Sequence, residues 1–220
     1  MPIPKQIFQT FKNANLSWIV KYHIARLKRL NPEYAYYFYD DEMILKFLED
    51  EFPAEYLQAY KRLTIGASKA DFFRYAILYK KGGAYIDLDV KIVKPFRAFV
   101  LDDDEAIISN EIDKNLFVQW ALFFSPGHPF LKKTLENIIT NIQEQRYPND
   151  CHATTGPPPF SDAIRECIKI NPETPYRLMG MYYEGMMKEK YKLAKLAIYK
   201  KRKNHWKKLQ LRQKVISDAQ

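Results

Sequence analysis

The stretch RYAILYKKGGAYIDLDV, residues 74–90, joins a helical pattern to a strand pattern through two adjacent glycines. The apolar spacing predicts a helix over residues 68–81, and the first glycine ends it, since glycine adopts the left-handed backbone found after helices at no steric cost. An apolar strand is predicted over residues 84–90. It contains Asp87 and Asp89, although aspartate fits poorly in a strand. These two acids are the first indication of a functional site.

The two aspartates are predicted to share one side of the strand. Side chains of a strand alternate between its faces, so Asp87 and Asp89 lie on the same face as Tyr85. Two neighbouring carboxylates repel each other, and leaving them unpaired in a partly buried site is costly. A divalent cation such as Mg²⁺ or Mn²⁺ relieves the repulsion, with phosphate and water oxygens completing its coordination. The opposite face is predicted to enter the core through Ile86, Leu88 and Val90.

The helix that precedes the strand adds two charged residues. Asp71 and Arg74 are three residues apart and therefore lie on one helical face. The two glycines form a tight turn that lets the helix and the strand lie side by side. Ligands of open α/β sheets bind at the carboxyl ends of the strands. We therefore predict that Asp71 and Arg74 meet Asp87 and Asp89 at this edge of the sheet.

Helices and strands alternate along the rest of the chain, which predicts an α/β fold with a mainly parallel sheet. Ser68 is the predicted N-cap of the central helix, and His128 precedes Pro129 at a helix start. The segment ATTGPPPF, residues 153–160, is predicted to be a loop. Further helices are predicted over residues 16–30, 41–52, 54–63 and 129–145 and in a short segment ending near 170, with strands over residues 4–11, 33–40, 105–110 and 116–124.

The composition is that of a globular protein, with 47% hydrophobic residues in 220. No apolar run approaches the roughly 18 to 20 residues that span a bilayer, and the first ten residues do not form a secretory signal. The two cysteines, Cys151 and Cys167, are expected to be free thiols in a reducing compartment. We therefore expect a cytoplasmic protein.

The formal net charge of +9 is concentrated at the C-terminal end. From residue 188 onward, twelve Lys or Arg stand against two acids, so the rest of the chain is nearly neutral. This change in composition predicts a catalytic domain over residues 1–187 and a basic, mostly helical tail over residues 188–220. The tail is expected either to lie on an anionic membrane surface, at the inner face of the membrane, or to be a solvated helix. Nucleic acid is the less favoured partner.

The block SKADFFRYAILYKKGGAYIDLDV, residues 68–90, resembles the signature of the glycosyltransferases with a DXD sugar-binding region. These include yeast-type α-1,6-mannosyltransferases, bacterial capsular and lipopolysaccharide sugar transferases, and the large clostridial glucosylating toxins. Weaker similarity extends to IPKQIFQTFK, NPEYAYYFYDDE, SPGHPFLKKTLENI and TTGP. The chain departs from the family at Phe8, where histidine is frequent, and at Phe11, where tryptophan is usual.

The resemblance implies a GT-A fold, with a Rossmann-like, mostly parallel sheet between helices, and a metal-dependent hexosyltransferase that usually retains anomeric configuration. The implied donor is a UDP- or GDP-sugar, the acceptor a glycan or glycolipid, and the cofactor Mn²⁺ or Mg²⁺. By position, Asp89 would coordinate the metal, and Asp87 would bind the ribose or sugar and support the metal through water. Asp71 and Arg74 would hold sugar hydroxyls near the diphosphate.

The resemblance also implies a set of donor-binding residues. Tyr85 would pack against the donor, Gln9 and Thr10 would line the nucleotide pocket with Asp40, and Gly156 belongs to the TTGP loop. Family members often close over the diphosphate with a histidine and a Ser-Trp pair. Here the sequence NHWKK offers His205 and Trp206 without a matching serine. The alternative role of Trp206, which the sequence favours, is to dock the tail helix.

Two other interpretations remain open from the sequence. DLDV also matches the start of haloacid-dehalogenase-type phosphatases, which need a second acidic pair downstream, and LDDDE at residues 101–105 is the nearest candidate. The Asp71 and Arg74 helix has no role in that interpretation. Alternatively, the chain is a non-catalytic protein that binds a sugar nucleotide, a nucleic acid or a membrane.

Overall fold

The fold is built on a six-stranded central sheet. This computed structural model describes residues 1–113, 115–199 and 205–218. The described strands are β1 Gln6–Thr10, β2 Ala35–Tyr39, β3 Gly83–Ile86, β4 Lys91–Ile92, β5 Ala106–Ser109, β6 Ala121–Phe124, β7 Arg177–Met179 and β8 Met187–Lys188. The central sheet has the order β2-β1-β3-β6-β5-β7, and β4 pairs with β8 in a separate antiparallel ribbon. Because β6 alone runs against its neighbours, the other five strands of the sheet are parallel.

Helices lie on both sides of this sheet. Their described bounds are α1 Trp18–Leu30, α2 Asp41–Glu51, α3 Ala54–Arg62, α4 Gly66–Lys81, α5 Pro129–Gln143, α6 Cys151–Thr155, α7 Pro157–Ile170, α8 Ala194–Tyr199 and α9 Trp206–Leu209. Among the described residues, no helix is both long and apolar enough to cross a bilayer. Both cysteines are free thiols, as expected.

Alternate residues of the strands enter two separate cores. Phe8, Tyr85 and Phe124 lie in the core that contains α2 to α5, whereas Ile7 and Phe123 lie in the core on the other face. This alternation is the two-residue period expected of strands covered on both faces. The sheet is therefore a central layer between two helical layers, as an α/β fold requires.

The buried helix α4 and its two-glycine turn place the candidate site. Helix α4 begins at Gly66 with Ile65 as its N-cap, so the prediction that Ser68 caps it is wrong, and Ser68 is buried within the helix. Gly82 and Gly83 both have positive φ, +64° and +102°. A Cβ atom at Gly83 would lie 2.7 Å from the Gln6 carbonyl oxygen of β1. The second glycine therefore allows β3 to approach β1 closely.

Several predicted elements differ in extent from the structure. Strand β3 ends at Ile86, so Asp87 and Asp89 lie in the turn after the strand and not within it. The predicted loop over residues 153–160 is instead the end of α6 and the start of α7. The prolines of α7 occupy its first turn, where a backbone N–H has no helical partner to lose. The predicted start of α5 at Pro129 is confirmed, and His128 is its N-cap.

The basic C-terminal segment contacts the rest of the fold closely. The predicted boundary after residue 187 falls inside β8, and Val215 and Ile216 are fully buried in the core beside α3 and α4. Ile216 forms a β-bridge with Leu63, and the Thr64 N–H donates to the Val215 carbonyl at 3.0 Å. The described helices of this segment are short, and residues 200–204, 219 and 220 lie outside the described residues. The change in charge therefore does not mark a separate packing unit.

Replacing Ile216 with alanine is expected to destabilise the whole domain by about 2–5 kcal/mol, because it opens a cavity in a fully buried position. Leu211 lies five residues earlier and is 82% exposed, so Leu211→Ala should change stability by no more than about 0.5 kcal/mol. Urea unfolding of the two variants measures the difference. Equal stability of both would show that the C-terminal segment is a detachable tail.

Candidate active site

The turn that contains both aspartates is fixed at the carboxyl end of β3. The Gln9 side chain of β1 donates to the Ile86 carbonyl at 3.0 Å, and the Asp87 N–H donates to the Trp120 carbonyl at 2.8 Å. The chain then turns, because the Val90 N–H donates back to the Asp87 carbonyl at 3.2 Å. These bonds end the strand where the sequence alone predicts that it continues.

Arg74 connects α4 to this turn. Its side chain is almost fully buried, and Nη2 lies 3.2 Å from Asp71 Oδ1 and 2.9 Å from Asp87 Oδ1. Nη1 donates to the Gln119 carbonyl at 2.9 Å, and the guanidinium lies 4.9 Å from the centre of the Tyr85 ring. The predicted meeting of Asp71, Arg74 and Asp87 is therefore present in the structure.

Two neighbours hold the carboxylates in place. Thr155 Oγ1 donates to Asp71 Oδ2 at 2.9 Å, and the Tyr85 hydroxyl donates to Asp87 Oδ1 at 3.1 Å. The second oxygen of Asp87 has no partner among the described residues and is available to a ligand. The contacts of Thr155 and Gln119 were missed from the sequence, since nothing in their local patterns relates them to a helix 84 or 45 residues away.

Asp89 is bound to the protein through its backbone. Its carbonyl accepts from the Tyr191 N–H at 2.9 Å, so the C-terminal segment is attached directly to the turn. The intervening Leu88 packs with Val20 and Tyr191, in a core separate from that of Ile86. The predicted common core face of Ile86 and Leu88 is thus wrong, because the backbone has already left the strand.

The site holds more negative charge than its single buried guanidinium neutralises. Burial raises the pKa of Asp71 to about 6, against the opposing effects of Arg74 and Thr155. Burial also raises the pKa of Asp87. Burial and the Asp87 charge raise the pKa of Asp89 to about 7, and Lys190 acts in the opposite direction. In the described residues Asp89 forms no ion pair, so its carboxylate is the one best placed to accept a cation.

The chemistry of this donor set fits a hard divalent cation that also binds a ligand. No group of three or more His, Cys, Asp or Glu suited to a metal occurs within the described part of the chain. The candidate ligands are instead two residues, Asp89 and, through its open oxygen, Asp87. Both are carboxylates, and Mg²⁺ and Mn²⁺ prefer carboxylate oxygens as ligands. With so few protein ligands, water and phosphate oxygens would have to complete the coordination.

A cavity of about 940 Å³ opens over the turn. It lies at the carboxyl edge of the parallel strands, the usual ligand position of such sheets. Its walls come from the segment after β1, the start of α4, the segment after β5, the junction of α6 and α7, and the C-terminal segment. This volume is large enough for a ligand with several rings.

Nine of the eleven predicted site residues line this cavity: Thr10, Asp71, Arg74, Tyr85, Asp87, Asp89, Gly156, His205 and Trp206. The other two, Gln9 and Asp40, have structural contacts. Gln9 is buried and bridges the Ile86 carbonyl and the Tyr36 hydroxyl. Asp40 is the N-cap of α2, where it accepts from the Met43 N–H at 3.0 Å. Neither lines the cavity, and the individual roles of all eleven residues stay predictions.

Three buried polar atoms at the cavity have no hydrogen-bond partner in the part of the chain that the structure describes. They are the Tyr60 hydroxyl, Arg74 Nε and Trp120 Nε1, and all three residues line the cavity. Buried polar groups are normally paired with protein, water or ligand. Unpaired polar groups of residues that line the same cavity as the carboxylates suit a ligand with several hydroxyl groups. Tyr60 and Trp120 were not predicted from the sequence.

The acidic stretch at residues 101–105, the nearest candidate for the second acidic pair of a phosphatase, does not line this cavity. Asp104 instead forms a two-pronged ion pair with Arg177 of β7, at 2.8 Å and 2.5 Å. The haloacid-dehalogenase interpretation is therefore not supported.

The known sequences to which this chain is similar are described as glycosyltransferases. The family model described as a glycosyltransferase sugar-binding region containing a DXD motif matches residues 19–114. A glycosyltransferase of Acanthamoeba polyphaga mimivirus is 32% identical over 166 residues, covering 74% of this chain and 64% of that protein. The initiation-specific α-1,6-mannosyltransferase of Schizosaccharomyces pombe is 31% identical over 195 residues, covering 76% and 49%.

A third curated relative is named for a lipid substrate. Inositol phosphoceramide mannosyltransferase 3 of Schizosaccharomyces pombe is 32% identical over 144 residues, covering 62% of this chain and 37% of that protein. The chain spans between about a third and two thirds of the length of these three relatives.

Solved structures confirm the predicted fold class. The PaToxG glycosyltransferase superposes with a TM-score of 0.62 at 19% identity, covering 79% of this chain and 73% of that chain. The ligand-free glycosyltransferase domain of the YGT toxin gives 0.58 at 9% identity, covering 90% and 82%. At such low identity the likeness concerns the fold alone, which is of the GT-A type.

Proposed function

We propose that the chain is a glycosyltransferase of the kind it is similar to, with a sugar-binding region that contains a DXD motif, and that it transfers a hexosyl group from a nucleotide-diphosphate sugar to a glycan or glycolipid acceptor. The observation that carries the proposal is the arrangement at the cavity floor. Asp71, Arg74 and Asp87 form one buried cluster, and Asp89 is left without an ion pair among the described residues. Mannose is the first candidate sugar, since two of the curated relatives are named as mannosyltransferases.

Asp89 and the open oxygen of Asp87 are the proposed holders of Mn²⁺ or Mg²⁺. The bound cation would neutralise negative charge on the donor diphosphate. The protein's own part is to keep both carboxylates in position. Arg74 and the Tyr85 hydroxyl fix one oxygen of Asp87, and the bond from Tyr191 fixes the backbone of Asp89.

Positive side chains of the protein stabilise the departing diphosphate in this proposal. Negative charge develops on the leaving oxygen as the glycosidic bond breaks, so cations near it stabilise the transition state more than the ground state. Lys190 lines the cavity, and its charge acts on Asp87 and Asp89. The unpartnered atoms of Tyr60 and Trp120 would orient sugar hydroxyls.

We propose that the acceptor attacks from the face that the diphosphate leaves, so that anomeric configuration is retained. The alternative is inversion, which needs a carboxylate base near the acceptor, and Glu111 on the cavity wall is the described candidate. NMR of the first-formed product distinguishes the two outcomes by its anomeric coupling.

Incubation of the chain with Mn²⁺ and a panel of UDP- and GDP-sugars tests the function. We expect release of the nucleoside diphosphate from one donor, slowly with water and faster with an acceptor. Chelation by EDTA should abolish it. If no donor in the panel is bound or turned over, the chain is better described as a non-catalytic sugar-binding module.

The same assay has an expected pH dependence. In the metal-free protein the pKa of Asp89 is raised to about 7, so its carboxylate holds a proton at pH 5 and releases it as the pH rises. A cation must compete with that proton. Mn²⁺ should therefore raise the melting temperature and support turnover at pH 8, and do so weakly at pH 5. Equal stabilisation at both pH values would contradict binding at Asp89.

A further inference from the structure

Helix α1 exposes a single stripe that combines aromatic and basic side chains. Exposed residues recur at helical spacing along it, and the opposite side is buried through Val20 and Leu27. Trp18 is 77% exposed and Tyr22 is 56% exposed, which is unusual for residues of this size. No acidic residue occurs in the helix. The stripe consists of Trp18, Lys21, Tyr22, Ala25, Lys28 and Arg29.

The segment before α8 continues this surface. His23 of α1 stacks on Tyr191 with ring centres 3.6 Å apart, and Tyr22 meets the His23 ring edge-on at 5.3 Å. Beyond Tyr191, Lys192 is exposed and Leu193 is 63% exposed. We call Trp18, Lys21, Tyr22, Lys28, Lys192 and Leu193 the α1 surface.

The α1 surface lies beside the mouth of the cavity. Leu16, Ser17 and Val20 at the start of α1 line the cavity wall, as do Ala197 and Ile198 of α8. Trp18 lies between two of these lining residues in sequence. A partner that covers the α1 surface would therefore lie close to the candidate active site.

The charges of this surface are not neutralised from within the protein. Among the described residues, Lys21, Lys28 and Lys192 form no ion pair, and Lys28 instead lies over the Tyr36 ring at 5.2 Å. The surface therefore offers uncompensated positive charge together with exposed apolar area. A partner of matching chemistry must carry negative charge and also accept aromatic and aliphatic side chains.

We propose that the α1 surface docks the protein on an anionic lipid bilayer. Tryptophan and tyrosine favour the boundary between head groups and acyl chains, and lysines are attracted to anionic head groups. A helix with an aromatic and basic face lies in the plane of such an interface. Nucleic acid also attracts lysines but does not favour an exposed leucine such as Leu193. The proposal assigns membrane binding to α1 and the segment before α8, not to a free basic tail.

Docking through the α1 surface would place the bilayer beside the segments that line one wall of the cavity. An acceptor with a lipid anchor would then reach the site from the membrane plane. This last consequence rests on the proposed transfer function, whereas docking does not, because vesicle binding requires neither donor nor metal. An experiment can therefore contradict membrane docking without contradicting sugar transfer, and the reverse also holds.

Vesicle flotation of the full chain tests the proposal. We expect binding to equimolar phosphatidylcholine and phosphatidylglycerol, little binding to phosphatidylcholine alone, and weakening by salt. Trp18→Ala with Tyr22→Ala, or Lys21→Glu with Lys28→Glu, should lower the bound fraction about tenfold or more. Trp18 fluorescence should shift to the blue on binding, and that shift should be absent in Trp18→Phe.

Matched control variants lie at the far end of α7. Ile170 is 81% exposed and Lys169 is exposed, about 20 Å along the helix from the cavity end. Ile170→Ala with Lys169→Glu should leave vesicle binding unchanged, and equal melting temperatures exclude misfolding as the cause in the other variants. Absence of anionic binding, or equal loss in the control, would overturn the proposal. Binding of labelled single-stranded RNA that depends on the α1 variants, without vesicle binding, would assign the surface to nucleic acid.

Discussion

Asp89→Asn lowers the rate of sugar transfer by about a hundredfold to a thousandfold, the range found when one charge-stabilising group is removed from an active site. Asparagine keeps the size of the side chain and loses its charge. In the described residues Asp89 forms no ion pair, so the variant loses a candidate cation ligand without breaking an ion pair of the protein. Release of nucleoside diphosphate with Mn²⁺ at saturating donor measures the effect.

The fold of this variant should be unharmed. The pKa of Asp89 is raised by burial and by the neighbouring Asp87 charge, so a neutral side chain removes a repulsion at pH 8. The melting temperature of the metal-free variant is therefore expected to equal or exceed that of the parent. Asp113→Asn is the matched control, since Asp113 also lines the cavity but is exposed and distant in sequence from the turn. If Asp89→Asn transfers sugar at the parental rate, the proposed metal position is wrong.

Arg74→Met destabilises the domain by about 3–5 kcal/mol at neutral pH, because removal of a buried cation leaves its partners charged and unpaired. Nη2 of Arg74 contacts both Asp71 and Asp87, and no other described cation lies within ion-pair distance of either. The loss should be smaller at pH 5. The pKa of Asp71 is already raised to about 6, so the carboxyl group accepts a proton there and loses its charge. Denaturant unfolding at pH 5 and pH 8 measures both effects.

Arg165→Met provides the matched comparison. Arg165 pairs with Asp162 three residues earlier, and both side chains are largely exposed, so its removal should cost less than about 1 kcal/mol. Adding Asp71→Asn to Arg74→Met should restore part of the lost stability by removing one unpaired charge. An Arg74→Met variant as stable as the parent at pH 8 would contradict the electrostatic account of the cluster.

Local patterns of the chain predict the cluster but not its surroundings. The three-residue spacing of Asp71 and Arg74 and the adjacent glycines act within about 20 residues, so both are visible in the sequence. The end of β3 at Ile86 depends on the Gln9 side chain and the Trp120 carbonyl, which come from distant segments. The sequence alone therefore predicts a strand that includes Asp87 and Asp89.

Two other predictions differ from the structure for the same physical reason, which is that a local pattern does not record contacts with distant segments. The prolines at the start of α7 are typical of a loop until a helix is known to begin there. The charged C-terminal segment is typical of a solvated tail, but Val215 and Ile216 complete a core that includes Leu63 and Ile65, about 150 residues earlier. The composition of this segment shows that it is charged. It does not show that two of its apolar residues are buried in the core.

The bond between the Tyr191 N–H and the Asp89 carbonyl has a consequence for biosynthesis. During translation the carboxylate turn is synthesised roughly a hundred residues before Tyr191, and Ile216 is synthesised later still. A nascent chain can thus contain every acidic group of the catalytic floor while one wall of the pocket is still untranslated. Competence to bind a donor would then arise only after Tyr191 and the segment around Ile216 have been synthesised.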